Sequence, residues 1–563
     1  MSDSQRILIM ALISTLIIFT YQTFIRKPVP IDTHDNDIEQ TRQLILSDID
    51  DTGSYVAVNH NSNSIRGEAD EPVTISTDNL LGSFSLRGAL LDNIELLHYK
   101  QTKSDDSDNV HILSPKYSDH PYYVSFEWVS SMDGIDLPGD ETEWKLDPNG
   151  ANDAHNINVY WINDRGVRFS ISISLDDRYM LLFKQTISNM GDVGIAVAGG
   201  AKLVRKNVQD IDKTMMFHQG ITAVVKNKLR EIDLKDVSKD KNMEHFNNVN
   251  WIGFSDKYWL VSFINDGSSN MGANIAKLRE MEGGYQISIA SNQSYVTKGG
   301  SKEFSYRFFV GPKELQMIED YELQYNIPLF DRAVDFGMLY FITKPMFLLL
   351  TYINSIVCNF GFAILILTVI IKMLLYPLTY KSFVNMARIK DLQPEVTAIR
   401  ERYKDDAMQA QRAIAQLYKS KNVSLLSGFL PLLLQMPVFF SLYKVLYVTI
   451  EMRQAPFIWW WQDLSAPDSN YILNLFGLLP WELPKFLMIG LLPILMGLSM
   501  YVQQMLNPQP VDQSQMNVMR YFPVFLVFIF ASFPSGLVLY WFWSNVLSIV
   551  QQWFIQRSVR RSS

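Results

Sequence analysis

The chain has 563 residues, a net charge of −8 and a single cysteine, Cys358. That length excludes one core and implies several domains, while the lone cysteine excludes a disulfide framework, so stability must come from packed cores. Charge is unevenly divided: residues 28–345 hold 30 Lys+Arg against 47 Asp+Glu and residues 346–563 hold 17 against 10, an acidic middle before a basic end, as membrane topology often demands, with no DNA partner expected.

Residues 1–27 contain an apolar block, 7–25, that resembles a signal peptide. No small-residue cleavage pattern follows it; Tyr21, Gln22, Thr23, Phe24, Ile25 and Arg26 come instead, so it is expected to be an uncleaved membrane anchor. Residues 28–70 are polar and acidic, with His34-Asp35-Asn36-Asp37 and Asn59-His60-Asn61-Ser62-Asn63-Ser64, and read as a flexible tether.

Across residues 71–325 short β-branched or aromatic runs alternate with turn residues: Tyr122 to Trp128, Val167 to Leu175, Tyr179 to Ile187, Ile195 to Val204, Tyr258 to Ile264, Tyr285 to Ile289 and Phe304 to Val310. This spacing predicts an all-β domain, a large antiparallel sandwich, closed by a helix over about Pro312 to Gln324. All eight histidines lie here or in the tether, yet none has metal-ligand spacing, so no metal is expected. The adjacent pairs Asp105-Asp106 and Asp176-Asp177 would point to opposite faces of a strand and read as solvated loop residues rather than a catalytic pair.

From residue 326 the pattern turns helical. Phe330, Val334, Gly337-Met338, Phe341 and Pro345 against Asp331, Arg332 and Asp335 predict an amphipathic helix lying on the membrane surface within 326–358. The apolar stretch Met346 to Leu378 exceeds the ~20 residues of one span, so the crossing is placed at 360–378, with Asn354 and Asn359 at the joint. Lys372 stands inside that crossing. A charge there costs roughly 2.5–3.5 kcal/mol on insertion scales, so such residues are paired, hydrated or functional; the competing reading is snorkelling, since Lys372 lies about a turn from Tyr376-Pro377 and the headgroups.

Residues 380–423 carry nine Lys+Arg. Their apolar stripe (Phe383, Met386, Ile389, Leu392, Val396, Ile399, Tyr403, then Ala413, Ile414 and Leu417) and the Lys404-Asp405-Asp406 break predict a helical hairpin, cytoplasmic by the positive-inside rule. It reads equally as a docking surface for an acidic partner or anionic lipid and as a solvated, topology-setting element. Further spans follow at 425–448 and 487–506, with Trp459-Trp460-Trp461 at the outer interface. Pro534-Ser535-Gly536 cuts the last apolar stretch into spans at 518–533 and 536–554. With the anchor this makes an α-helical polytopic membrane domain of six spans, both termini cytoplasmic, a basic tail at 558–563 and the β domain outside. Within residues 359–557, Thr368 shares a helix face with Lys372, Gln435 lies roughly 15 Å into its span, and Ser544-Asn545 are central in the last one. A hydrated groove would satisfy these groups together.

Several segments, in this order, resemble the YidC membrane-protein insertases: Phe309-Val310-Gly311-Pro312, Tyr376-Pro377-Leu378-Thr379, Leu392-Gln393-Pro394, Pro431-Leu432-Leu433-Leu434-Gln435-Met436-Pro437-Val438-Phe439, Arg453-Gln454-Ala455-Pro456-Phe457, and Phe533-Pro534-Ser535-Gly536-Leu537-Val538-Leu539-Tyr540-Trp541. The match is densest over 335–557, and the outer domain fits the larger, Gram-negative form with a periplasmic domain. The resemblance implies a β-supersandwich similar to sugar-mutarotase folds and a five-span groove open to cytoplasm and lipid but closed outside. It further implies nascent membrane proteins, a Sec-type translocon, membrane lipids and a ribosome met by the hairpin and tail as partners, and no cofactor. Thr368, Gln435, Tyr540 and Trp541 match positions associated with the groove or the nascent chain. Two departures stand out: Lys372 replaces the usual arginine, which keeps the charge but loses the fork geometry, and Ser532 replaces an aromatic.

Two other classes compete. A secondary transporter would use Lys372 and Gln435 to bind a small anion, but internal repeats and paired broken helices are missing. A membrane-anchored carbohydrate-active enzyme would use the β domain and lose activity with it. The mechanism needs no nucleotide site, and no GxxxxGK[ST] phosphate loop is visible.

Overall fold

A computed structural model describes residues 72–562 apart from 105, 133, 207–217, 235, 238–243, 268–269, 279–282, 405, 424–429, 460, 473–483, 485–487 and 507–512. The expected anchor and tether, Asp105 and Trp460 lie outside the described residues.

Two large antiparallel sheets form the β domain. One runs, in spatial order, Val73–Ser76, Leu80–Ser85, Leu90–Lys100, Tyr122–Val129, Ile195–Lys206, Gly284–Ser291, Met271–Lys277 and Glu244–Phe246, with Asn109–Leu113 and Ser294–Val296 paired to its members. The other runs Lys228–Asp233, Gly220–Val225, Val249–Ser255, Trp259–Ile264, Ser301–Pro312, Met180–Asn189, Val167–Leu175, Asn156–Ile162 and Lys145–Leu146. Val167–Leu175 shows the governing pattern, with every second residue buried, because side chains on a strand alternate faces. The inward faces meet through aromatic edges: Phe126 on Phe183 at 4.9 Å and Trp128 on Phe169 at 5.0 Å between ring centroids. Gly253 is needed for close approach, since a Cβ there would fall 2.0 Å from the Val261 carbonyl oxygen.

Asp176 lies in a loop, as expected, but its carboxylate is tied down rather than freely solvated. One carboxylate oxygen accepts the backbone N–H groups of Arg178 and Met180, both at 2.9 Å, and the other accepts the Tyr321 hydroxyl at 2.7 Å. Tyr321 belongs to α1 (Leu315–Tyr325), so this turn fastens the helix that leaves the sandwich. The expected start at Pro312 is three residues early, because Pro312 still ends a strand.

The helices that follow are α2 (Tyr340–Val357), α3 (Phe360–Asp391), α4 (Gln393–Arg402), α5 (Ala407–Ser420), α6 (Leu430–Val448), α7 (Leu491–Leu506), α8 (Gln513–Phe530) and α9 (Ser535–Ser562). Among the described residues, α2 and α3 are long and apolar enough to cross a membrane; α2 is the segment expected on the surface. The joint falls where Asn354 and Asn359 placed it: Cys358 takes a left-handed conformation and the Asn359 side chain caps α3 by accepting the Phe362 N–H. There is no break at Leu378, since α3 continues to Asp391 and its far end carries the first residues of the expected hairpin. Helices α4 and α5 complete it around a small core of Ile389, Leu392, Val396, Tyr418 and Val423. Pro534 breaks α8 from α9 as expected. The break is stitched to the loop at 464–466, with Ser535 N–H on the Ala466 carbonyl at 2.8 Å and Gly536 N–H on that of Leu464 at 2.9 Å.

Polar contacts join the β domain to the helices. Lys444 of α6 pairs with Asp335 at 2.7 Å, and Asp335 also accepts the His218 N–H at 3.0 Å. Burial raises the Asp335 carboxyl, but Lys444 and that N–H outweigh it and hold the group below its ordinary value. Arg453 donates to the carbonyls of Lys100 and Gln101, and Lys103 donates to that of Gln462. Glu451 accepts the Leu315 N–H at 3.4 Å. Burial pushes its carboxyl up to about 7, against that N–H and with help from Glu314.

An acid whose value is higher in the folded chain binds more protons there. The Glu451 contribution to stability is therefore complete below about 4.5 and lost as pH rises through about 7. Between pH 5 and 8 the thermal midpoint of the purified full chain should fall more steeply than that of Glu451→Gln, by a few degrees. Parallel pH profiles would exclude this carboxyl as the cause.

Candidate functional site

The site forms where α3, α6 and α9 meet. Lys372 is half-buried on α3, and its Nζ donates to Ser548 Oγ at 2.8 Å and to Gln435 Oε1 at 3.5 Å. The Gln435 amide in turn donates to the Tyr540 hydroxyl, which turns its carbonyl oxygen toward the ammonium. Ser548 donates its own proton to the Ser544 carbonyl at 2.9 Å. One cation is thus held between three helices by neutral oxygens, and among the described residues no carboxylate pairs with it. Neutral acceptors orient an ammonium without cancelling its charge.

The other expected residues divide. Thr368 is 1% exposed and on the same face one turn earlier, but its hydroxyl donates to its own helix, to Ile364 O at 2.6 Å. Ser544 is buried beside the cluster. Asn545 faces another way, donating to Ser499 of α7 at 3.0 Å, and so joins α7 to α9. Trp541 makes ring contacts with Phe439 at 4.8 Å and Phe530 at 4.6 Å. Adjacent residues on a helix are about 100° apart, which is why the pairs 540–541 and 544–545 serve different neighbours.

Ser548 was absent from the sequence expectations. A signal for it existed: Tyr540, Ser544, Ser548 and Gln552 recur every four residues, and all four are buried, a polar stripe on a helix otherwise rich in apolar side chains. Gly361 and Phe457 explain one motif near the start of α3. A Cβ on Gly361 would fall 1.9 Å from the Phe457 ring, and the Phe457 carbonyl accepts the Asn359 amide at 2.9 Å.

The family model described as "60Kd inner membrane protein" matches residues 352–562, and the one described as "YidC periplasmic domain" matches residues 72–349. A relative from Rickettsia bellii (strain OSU 85-389), named "Membrane protein insertase YidC", is 41% identical over 558 residues, 98% of this chain and 98% of its own. The chain belongs to the YidC membrane-protein insertase family. A relative of the same name from Rickettsia akari (strain Hartford) is 42% identical over 488 residues, 86% of this chain and 87% of its own. The solved "Active YidC insertase crystal structure with the first transmembrane domain resolved" is 18% identical with a TM-score of 0.35, covering 86% of this chain and 92% of that one. A galactose mutarotase related enzyme from Lactobacillus acidophilus is 8% identical with a TM-score of 0.30, covering 43% of this chain and 97% of that one. The family assignment rests on the sequence relatives. The chain is accordingly an inner-membrane protein with a periplasmic domain, and its activity is insertion rather than enzymatic catalysis.

Proposed function

We propose that the chain moves apolar segments of nascent membrane proteins into the lipid through a hydrated groove lined by Lys372, Thr368, Gln435, Tyr540, Trp541 and Ser544. The observation that carries this reading is the Lys372 ammonium, bonded to Gln435 and Ser548 inside a helix bundle and, among the described residues, with no carboxylate partner. Six spans, counting the anchor at 7–25, would put both termini in the cytoplasm and the groove mouth on that side. The stitching of Ser535 and Gly536 to the loop at 464–466 supports an outer end that is closed.

An acidic flank entering this groove exchanges bulk water for a fixed cation and the surrounding hydroxyl and amide groups, which lowers its desolvation cost. Its apolar neighbour meanwhile slides past exposed lipid-facing side chains of α6 and α8, such as Phe440, Phe525 and Phe528. Partition into lipid completes release. The membrane potential, positive outside, adds about 2.3 kcal/mol per charge per 100 mV toward carrying the acidic flank across. The basic hairpin and the tail at 558–563 would meet the ribosome, and a Sec-type translocon and membrane lipids complete the expected partners.

Photo-crosslinkers placed at positions 435 and 540 should both form adducts with a stalled nascent chain. Insertion without adducts from either position would remove the groove from the pathway. Deleting most of residues 72–310 should leave insertion intact, whereas an enzyme built on the periplasmic domain would lose its activity.

A further inference from the structure

We infer that Gln435 is a reversible contact that favours acidic flanks. Its side-chain amide offers oxygen to the Lys372 ammonium while the groove is empty and turns over to offer N–H to the carboxylate of an incoming flank, with the Tyr540 hydroxyl serving the other end of the amide both times. The inference rests on the reading of Lys372 as the working charge of the groove and names a specificity-determining residue beside it.

An ammonium carries donors and no acceptor, so only the oxygen end of an amide can face it. Gln435 meets that demand, with Oε1 3.5 Å from Lys372 Nζ, and its own N–H donates to the Tyr540 hydroxyl. A carboxylate makes the opposite demand, since it only accepts. An amide answers both by a half-turn of its last torsion, which is soft because terminal torsions of this kind have broad, roughly two-fold wells. The partner at the far end must then reverse as well. A phenolic hydroxyl does so, accepting from the amide N–H in one state and donating to the amide oxygen in the other. A backbone carbonyl in its place would only accept and would fix one orientation.

The distances favour the exchange. At 3.5 Å the Gln435 oxygen is a weak acceptor that is displaced at small cost, while Ser548, at 2.8 Å, keeps its own contact with the ammonium. Gln435 is also the more accessible of the amide–phenol pair, half-buried where Tyr540 is 1% exposed. An arriving carboxylate therefore places one oxygen on the ammonium and the other beside the amide. There a charge-assisted N–H bond replaces the contact that the amide oxygen gave up.

The test compares insertion of a single-spanning substrate with an aspartate flank and of the same substrate with asparagine there, by the purified full chain in proteoliposomes. Gln435→Met, close in shape but without an amide, should lower the aspartate-to-asparagine ratio of insertion rates by about ten-fold, the low end of a hydrogen bond to a charged group. An amide that only accepts from Lys372 competes with the flank, so its removal should raise that ratio. A raised or unchanged ratio would overturn the inference. Gln435→Asn keeps a shorter amide and should hold the ratio above that of Gln435→Met; equal losses in the two would mark a packing effect and would also overturn it. Lys372→Ala separates the two possible failures. If it lowers the ratio while Gln435→Met does not, the inference about the amide falls alone; if it leaves the ratio unchanged, the reading of Lys372 falls and takes the inference with it.

Discussion

Lys372→Ala should reduce insertion of a short single-spanning substrate with an acidic flank by about ten-fold or more, while Lys372→Arg should stay within about two-fold of the natural protein. The size follows from the cost of a charge at mid-membrane. An unpaired carboxylate there costs roughly 2.5–3.5 kcal/mol on insertion scales, and removing the ammonium returns most of that cost to the transition state. The remaining water, Gln435 and Ser544 keep it from being total. Arginine preserves the field but not the single bond to Ser548, so its tolerance would show that charge, not the ammonium's point contact, does the work. The measurement is protease protection of the substrate in proteoliposomes containing the purified protein alone, with a neutral-flank substrate as control. That control should lose far less, because it never needs a counter-charge. Equal insertion by all three proteins with the acidic flank would exclude Lys372 from the mechanism.

Trp251→Ala is expected to destabilise the periplasmic domain by roughly 3–5 kcal/mol, the range for deleting a large buried aromatic. Trp251 has no exposed surface. Its indole N–H donates to the Pro328 carbonyl at 3.1 Å, and its ring meets Phe330 edge-on at 5.6 Å. Phe330 also packs on Phe309 at 5.5 Å. The substitution thus opens a cavity and frees the segment that carries the chain from the sandwich toward α2. Trp251→Phe should recover most of the packing and lose mainly the hydrogen bond, about 1 kcal/mol. Denaturant unfolding of the full chain in detergent, with limited proteolysis around residues 326–336, reads both effects. Unchanged midpoint and cleavage in Trp251→Ala would show that this ring does not hold the junction.

The strands that appeared most clearly in the sequence are those with one buried face. Val167–Leu175 has the range expected of it because alternation is a local property. Strands such as Leu90–Lys100 and Met271–Lys277, with Asp92-Asn93 in one and Gly272 and Asn274 in the other, break that alternation and became strands through their neighbours. In the helical region, polar joints marked ends correctly at Asn359 and Pro534. Leu378 marked only the end of hydrophobicity, since α3 remains helical where it leaves the apolar run. The bonding of the loop residue Asp176 was not legible because its hydroxyl partner, Tyr321, is 145 residues away.

The sequence by itself determined the division into an acidic β domain and a basic, apolar helical region, and it marked Lys372 as an anomaly, since hydropathy, charge and period are properties of neighbouring residues. Only the tertiary structure decided what that lysine touches. Ser548 lies 176 residues away in the chain, and no local pattern encodes which side of a neighbouring helix comes to face it. Side-chain packing fixes that rotation, and with it the oxygen atoms that replace water around the cation.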